Sequence, residues 1–439
     1  MESTKKEEQI QKDKDLKLKT DIDQERIESI ILTFFEKEGF NTKLSKEYKG
    51  EANFYSNLHY KAFTRFFPEL PEKFTNMESY YPWIIYWIIN NILMLKDHSN
   101  IDHGFKLKLV ELLKDLQHED GGFRGSPKGE AQIFTTYAAV MSIIDLGIPE
   151  AYDIIDIPKM RNFLLKMKNN TFKNKNSVFL DKNGNFLLNK ENKDEQKLYK
   201  TPYPGTFQNY INGEGDLRMI YCALTVASIL NLINLDDIDN DPLTKGVVEY
   251  IKNCQTFEGG LGPKPFCETH AGFTYCGVAI LVLLNKLNEI DVNALLRWLV
   301  NRQMTKEGGF SGRTNKLVDS CYSFWVGSIF NLLTMSDKKY YFDNELLYDQ
   351  LSLQAYILFP CQNLEDGGFR DKPGCTPDLN HSNYSTCALM LSQECLSENQ
   401  KIALTPELGK AFLNVNPIYC IPQDKVEKAM KYYAEKKIN

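Results

Sequence analysis

A glycine-centred motif recurs four times in this 439-residue chain, and it limits the folds open to it. Gln117–Phe123 reads QHEDGGF, Gln255–Leu261 QTFEGGL, Gln303–Phe310 QMTKEGGF and Gln362–Phe369 QNLEDGGF. Each Gly-Gly follows a run with helical apolar spacing, such as Leu295, Leu296, Leu299 and Val300. Each also precedes, after a loop, a second apolar run such as Tyr322–Leu333. The unit is therefore helix, glycine turn, helix. Gly260, Gly309 and Gly368 lie 49 and 59 residues apart, the scale of stacked supersecondary units.

Two helices per unit, closed in a ring, give an α/α toroid with inner and outer helices around a central apolar cavity. Strand signals are sparse, so the chain is expected to be all-α. From Gly122 to Gly260 is 138 residues, room for a degenerate unit. Its second helix is expected to begin near Gly215–Arg218 and continue through Tyr221–Leu232. Two segments stand outside the pattern. Residues 1–22 read as a charged, poorly ordered arm, leaving 23–439 as the α/α domain. Residues 169–207 are rich in Lys and Asn, contain Asn183-Gly184 and Pro202-Tyr203-Pro204, and read as a surface insertion in the degenerate unit.

Composition narrows the class of function. Lys plus Arg is 52 against 58 Asp plus Glu, a net charge of -6 with no clustered basic face. Binding through nucleic-acid phosphates calls for the opposite balance, so no nucleic-acid partner is expected. Hydrophobic residues at 43% and charged residues at 25% exclude global disorder. The apolar runs Pro82–Leu95 and Cys276–Leu284 are too short to span a bilayer. Residues 1–26 lack the apolar centre of a signal peptide. The 10 cysteines, all between Cys222 and Cys420, have irregular spacings unlike a disulfide framework. Reduced thiols in a cytoplasmic protein are the expectation.

Chemistry gathers after the glycine pairs. His270 lies ten positions beyond Gly260, Asp319 ten beyond Gly309 and His381 thirteen beyond Gly368. In a ring of equivalent units these fall near the starts of inner helices, on one rim of one cavity. Helix starts present free N–H groups and a positive dipole end, which favour an anion. Asp319, Cys321 and His381 offer the oxygen, sulfur and nitrogen donors of a zinc site with its fourth position open. Spacing alone is no zinc motif, and a structural Cys beside a helix-capping Asp explains it equally simply. Placement in the repeat brings the two readings level.

His270, Arg313 and Lys316 sit in glycine-to-helix loops, with Tyr322 following on an inner helix. Together they suit a polyanion such as diphosphate, although most such loop charges are merely solvated. Trp83 and Trp87 share a helix face, and Tyr221, Phe273, Phe324 and Trp325 fall on inner helices. Core packing accounts for most helical aromatics. A toroid also has a cavity to line, and aromatic walls suit a long apolar ligand. The acidic stretch Asp236–Asp241 reads as a solvated turn.

Three stretches, CETHAGFTYCG (267–277), GRTNKLVDSCYSFW (312–325) and GGFRDKPG (367–374), resemble the β subunits of the protein prenyltransferases, the farnesyl branch above all. The similarity runs from about Tyr81 to Leu391. The resemblance implies that Asp319, Cys321 and His381 hold one Zn²⁺. It places His270, Arg313, Lys316 and Tyr322 on the diphosphate, with Lys316 and Tyr322 joining the zinc ligands as catalytic residues. It assigns Trp83, Arg218, Tyr221, Gly272, Cys276 and Trp325 to the isoprenoid wall, and Trp87, Arg218 and Asn380 to the peptide groove. Asp371 falls where the farnesyl branch carries a Mg²⁺-associated aspartate and the type I geranylgeranyl enzymes a lysine.

By the same resemblance, the chain would be the β subunit of an αβ heterodimer. It would transfer farnesyl from farnesyl diphosphate to the cysteine of C-terminal C-a-a-X proteins such as small GTPases. Asn380 departs from the tyrosine that precedes the zinc histidine in the best-known farnesyl enzymes, and the 169–207 insertion has no family counterpart. A type I geranylgeranyltransferase is the nearest alternative. More remote are a terpene cyclase, whose Asp-rich acid motif appears on no inner helix here, and a non-catalytic scaffold.

Overall fold

Outer and inner helices alternate as the repeat predicts. The structure is a computed structural model that describes residues 18–65, 77, 79–95, 101–168, 205–340, 346–393 and 414–438. Helix α1 (Lys19–Glu38) precedes the ring. Then come α2 (Ser56–Thr64, outer), α3 (Tyr81–Met94, inner), α4 (His103–Asp115, outer), α5 (Ile133–Leu146, inner) and α6 (Ile157–Met167, outer). They continue as α7 (Leu217–Ile229, inner), α8 (Val247–Asn253, outer), α9 (Ala271–Leu283, inner) and α10 (Val292–Val300, outer). The next inner element is broken at Val326 into α11 (Tyr322–Trp325) and α12 (Gly327–Ser336). An outer α13 (Gln350–Tyr356), an inner α14 (Leu379–Leu391) and a final α15 (Gln423–Ile438) complete the series.

Burial separates the layers. Outer α10 buries only Leu295, Trp298 and Leu299, the one-sided stripe of a surface helix, whereas inner α5 buries every residue but Phe134. The inner helices pack α3 on α5, α5 on α7, α7 on α9, α9 on α11 and α12, these on α14, and α14 back on α3. The toroid is closed.

Glycine turns set the spacing. The motif's Gln and aromatic or leucine residue form a β-bridge in each repeat: Gln117 with Phe123, Gln255 with Leu261, Gln303 with Phe310 and Gln362 with Phe369. The first glycine lies against the opening turn of the next outer helix, where a Cβ would collide with backbone of Lys159, Ala294, Ser352 or Leu58. All four have positive φ, so only glycine fits. The last of these contacts, Gly367 on α2, seals the ring. Gln255 adds a clamp, donating to Gly259 O at 2.8 Å and Asp291 O at 2.9 Å, and Gln303 repeats it.

The degenerate unit is a fifth copy. Lys168 forms the same bridge with Phe207, and Gly205 (φ +93°) packs on Gly246 at the start of α8. The insertion expected over 169–207 therefore stops short of Gly205, because Gly205–Phe207 are buried parts of the repeat; residues 169–204 lie outside the described residues. The arm expected over 1–22 is likewise too long, since α1 begins at Lys19. Residues 1–17 lie outside the described residues.

Lys168 Nζ donates to Gly205 O at 3.0 Å, the bond Gln255 makes to Gly259 O. Burial, partly offset by Asp241, pulls this amine down to about 7. The unfolded chain then binds more protons than the fold between pH 7 and about 10, so the position costs stability that returns as pH rises through that window. Lys168→Gln keeps the donor without the charge. It is expected to raise the thermal midpoint by a few degrees near pH 7, with the gain shrinking toward pH 10. A pH-independent gain in thermal melts would show that the charge is irrelevant.

The far end of the ring is filled by the chain's own C-terminal segment. Strands β1 (Val415–Asn416) and β2 (Ile421–Pro422) pair antiparallel, and the Pro417–Cys420 turn between them is buried. Tyrosines from four successive inner helices hold it. Tyr86 donates to Cys420 O at 2.9 Å, Tyr137 to Tyr419 O at 3.2 Å, Tyr221 to Ile418 O at 2.8 Å and Tyr275 to Pro417 O at 2.8 Å. The nine described cysteines are all free. Among the described residues, no helix is long and apolar enough to cross a membrane.

Candidate active site at the open rim

Two helix starts bring the three metal-type donors together. Asp319 and Cys321 end the loop that leads into α11, and His381 lies in the first turn of α14. One ligand atom from each lies within 4.8 Å of the others. Asp319 Oδ1 accepts from Cys321 N at 2.8 Å, fixing the carboxylate beside the thiol. Asp378, the N-cap of α14, accepts from His381 N at 2.8 Å and from His381 Nδ1 at 2.5 Å. The imidazole therefore turns Nε2 toward Asp319, 3.4 Å away. A carboxylate behind a ligating histidine is the usual outer-sphere arrangement of a metal centre.

The electrostatics favour a cation there. Burial pulls His381 down, but bonds to Asp319 and Asp378 outweigh it and hold the imidazole up at about 10. Burial and the neighbouring Asp319 carboxylate push the Cys321 thiol well above its ordinary value. A thiol so placed is a poor free nucleophile, and a cation bound there would have to take the place of its proton. Oxygen, sulfur and nitrogen donors in a negative field fit a borderline-soft dication.

Beside this cluster, His270 caps α9, its Nδ1 accepting from Gly272 N at 3.1 Å. Burial and the Arg313 charge lower its pKa, so the ring is neutral near pH 7. Nε2 then carries the proton and donates to Tyr322 OH at 3.1 Å, which leaves the phenol hydrogen for another acceptor. Burial raises the Tyr322 pKa, keeping it a donor. Arg313 pairs with Glu268 at 2.6 Å, and Lys316 is exposed; both stand on the loop outside the cavity wall. Asp371 pairs through Oδ2 with Lys372, while its Oδ1 is buried and unpartnered.

Below the rim opens a cavity of about 400 Å³. Of the residues singled out in the sequence, Trp83, Trp87, Arg218, Tyr221, Gly272, Cys276, Trp325 and Asn380 all line it, and so do His270, Cys321 and Tyr322. Arg218 is held by Asp216, with Nη2 to Oδ2 at 2.7 Å. Phe324 does not line it, being wholly buried behind Trp325. Sequence reasoning missed Phe134 and Tyr384, whose rings lie 4.4 Å from Trp83 and 4.3 Å from Trp325. It also missed Tyr137, Cys420 and Asp378. Tyr137, Tyr221 and Tyr275 each stand fourteen residues past the turn's bridging residue (Phe123, Phe207, Leu261), a register the repeat contains.

A family model described as the prenyltransferase alpha-alpha toroid domain matches residues 54–421. The chain belongs to this family. Within it, the protein farnesyltransferase subunit beta of Pisum sativum is 31% identical, across 81% of this chain and 89% of that one. The Arabidopsis thaliana protein of the same name is 29% identical, across 83% and 80%. The Arabidopsis geranylgeranyl transferase type-1 subunit beta is 36% identical, but over 46% of this chain and 52% of that one. Among solved structures, Candida albicans protein geranylgeranyltransferase-I complexed with GGPP superposes with a TM-score of 0.63 at 23% identity, covering 87% of this chain and 99% of that one; it supports the fold. The chain is thus a protein prenyltransferase β subunit, and the cyclase and scaffold readings give way.

Proposed function

We propose that this chain is the catalytic β subunit of a zinc-dependent protein farnesyltransferase, which alkylates the cysteine of C-terminal C-a-a-X proteins such as small GTPases in the cytoplasm. The observation that carries the reading is the convergence of Asp319, Cys321 and His381 at the mouth of an aromatic-walled cavity. These three residues would hold zinc with one position open. Zinc bound there lowers the pKa of an acceptor thiol, so that a thiolate exists at neutral pH.

The chain's own residues do the rest. Trp87, Arg218 and Asn380 flank the acceptor peptide, and Trp83, Tyr221, Gly272, Cys276 and Trp325 surround the prenyl tail. A bond forms between the acceptor sulfur and the first prenyl carbon, and that carbon's bond to the diphosphate oxygen breaks. Negative charge grows on the departing diphosphate, where the Tyr322 phenol, oriented by His270, donates a hydrogen bond. Arg313 and Lys316 add positive charge from the loop above. The free Oδ1 of Asp371 would hold Mg²⁺ against the same group. No protein nucleophile is needed.

A prenyltransferase α subunit is the expected partner, as in relatives named subunit beta. The test is co-expression with a candidate α subunit, then assay with farnesyl and geranylgeranyl diphosphates and a C-a-a-X peptide. The expected result is one zinc per heterodimer and a farnesyl thioether formed in preference to the longer one. Preference for geranylgeranyl diphosphate would favour the type I reading. Transfer without bound zinc would sink the mechanism.

A further inference from the structure

We infer that Cys420, in the hairpin turn that closes the far end of the cavity, helps to set how long a prenyl chain the site accepts. The inference rests on the prenyl-transfer reading above and concerns a segment that carries neither metal nor diphosphate residues.

The toroid would be open at the end opposite the rim if its six inner helices stood alone. Instead the Pro417–Cys420 turn plugs it, and Cys420, 2% exposed, is itself part of the cavity lining. Tyr137 and Tyr221 line the same cavity, and their hydroxyls end on the carbonyls of Tyr419 and Ile418. Their hydroxyl oxygens lie 3.2 Å apart, and the Tyr221 and Tyr275 oxygens lie at the same distance, so the three phenols stand side by side as a girdle beneath the cavity, each donating to the hairpin. Tyr275 lies five residues into α9 from His270 at the rim, about 7.5 Å of helix. A tail entering at the rim therefore runs toward Cys420.

An end wall can measure length only if it does not yield, and this one is tied at every residue. Asn416 Oδ1 accepts from Ile418 N at 2.8 Å and Tyr419 N at 3.2 Å, while Tyr419 OH meets Ser228 Oγ at 2.6 Å. Cys420 O accepts from both Tyr86 and Asn90, each at 2.9 Å. Cys420 also adopts φ +57°, a conformation a side-chain-bearing residue holds only when its surroundings impose it. Nothing in the turn can retreat without breaking several buried bonds.

Two substitutions move the floor in opposite directions. Cys420→Gly removes the thiol and suits the positive φ, so the floor drops. Cys420→Met keeps an unbranched Cβ and lengthens the side chain, so the floor rises. Each heterodimer is titrated with C10, C15 and C20 prenyl diphosphates, reading quenching of the cavity tryptophans for Kd, and then assayed for transfer. The expected result is about a tenfold gain for C20 over C15 in the glycine variant and about a tenfold gain for C10 over C15 in the methionine variant. Folded variants that keep the wild-type Kd ratios overturn the floor. If the methionine variant does not fold, an unchanged ratio in Cys420→Gly alone overturns it. Binding retained without transfer in the wild type would count against the farnesyltransferase reading alone, since the floor is read from binding.

Discussion

A Cys321→Ala protein, purified with its α subunit, is expected to carry almost no zinc and to alkylate almost no thiol. The donor atoms of Asp319, Cys321 and His381 lie within 4.8 Å of one another, so losing the sulfur leaves two ligands where three protein ligands are the minimum for a catalytic zinc site. The change removes little volume from a buried position, and the fold is expected to survive it. Zinc affinity should fall by at least about 100-fold, beyond the range seen when only an outer-sphere partner is lost. Asp378→Asn supplies that comparison. Asn still caps α14 with its oxygen, but it presents an amide where Asp378 accepts from His381 Nδ1. It should weaken zinc by about 10- to 100-fold and shift the imidazole tautomer, with melting little changed. Metal content by elemental analysis and thioether formation by mass spectrometry are read on the same samples. Full transfer by zinc-free Cys321→Ala would remove the metal from the mechanism.

Asp378 also shows where sequence reasoning stopped. Asp319, Cys321 and His381 were legible because they follow glycine turns by ten to thirteen residues, near the starts of inner helices, and the turns are legible because only glycine can lie so close to a neighbouring helix. Asp378 stands ten residues past Gly368, the offset of His270 and Asp319 from their own glycines, but it was passed over for His381 because its part is to cap a helix and hold an imidazole rather than to offer a ligand. The fifth repeat was half hidden for a similar reason. Lys168 does the work of a motif Gln with a different side chain, and residues 169–204 separate it from Gly205. The hairpin floor was invisible altogether. Its bonds join Tyr86 to Cys420 and Tyr275 to Pro417, pairs 334 and 142 residues apart, and no local period carries such pairings. The cavity wall lies between these cases. Trp83 and Trp87 were readable as one helix face, whereas Phe134 and Tyr384 became wall residues only through ring closure, which sets α5 beside α3 and α14 beside α11.

Trp83 carries the other large expected effect. It sits in the first turn of α3, 5% exposed, with ring centroids 4.4 Å from Phe134 and 5.5 Å from both Trp87 and Tyr137. The indole therefore fills the seam between α3 and α5 on the cavity side, space that a fourth isoprene unit would otherwise take. Trp83→Thr empties that seam. The cost in stability is at most about 3–5 kcal/mol, the figure for truncating a fully buried Trp, and less where neighbouring cavity-facing rings relax inward. A residue that only packed the core would cost the same and leave lipid choice alone. A residue that limits lipid length must change the ratio of kcat/KM for geranylgeranyl over farnesyl diphosphate. Because a single methylene in an apolar pocket is worth about 10- to 200-fold, admitting a whole isoprene unit should move that ratio by at least about 100-fold toward the longer lipid. The two readings separate on one protein preparation, with melting and circular dichroism reporting the fold and competition between the two lipids reporting choice. A folded Trp83→Thr heterodimer with the wild-type ratio would show that the seam does not measure the lipid, and would leave the hairpin at Cys420 as the limiting wall.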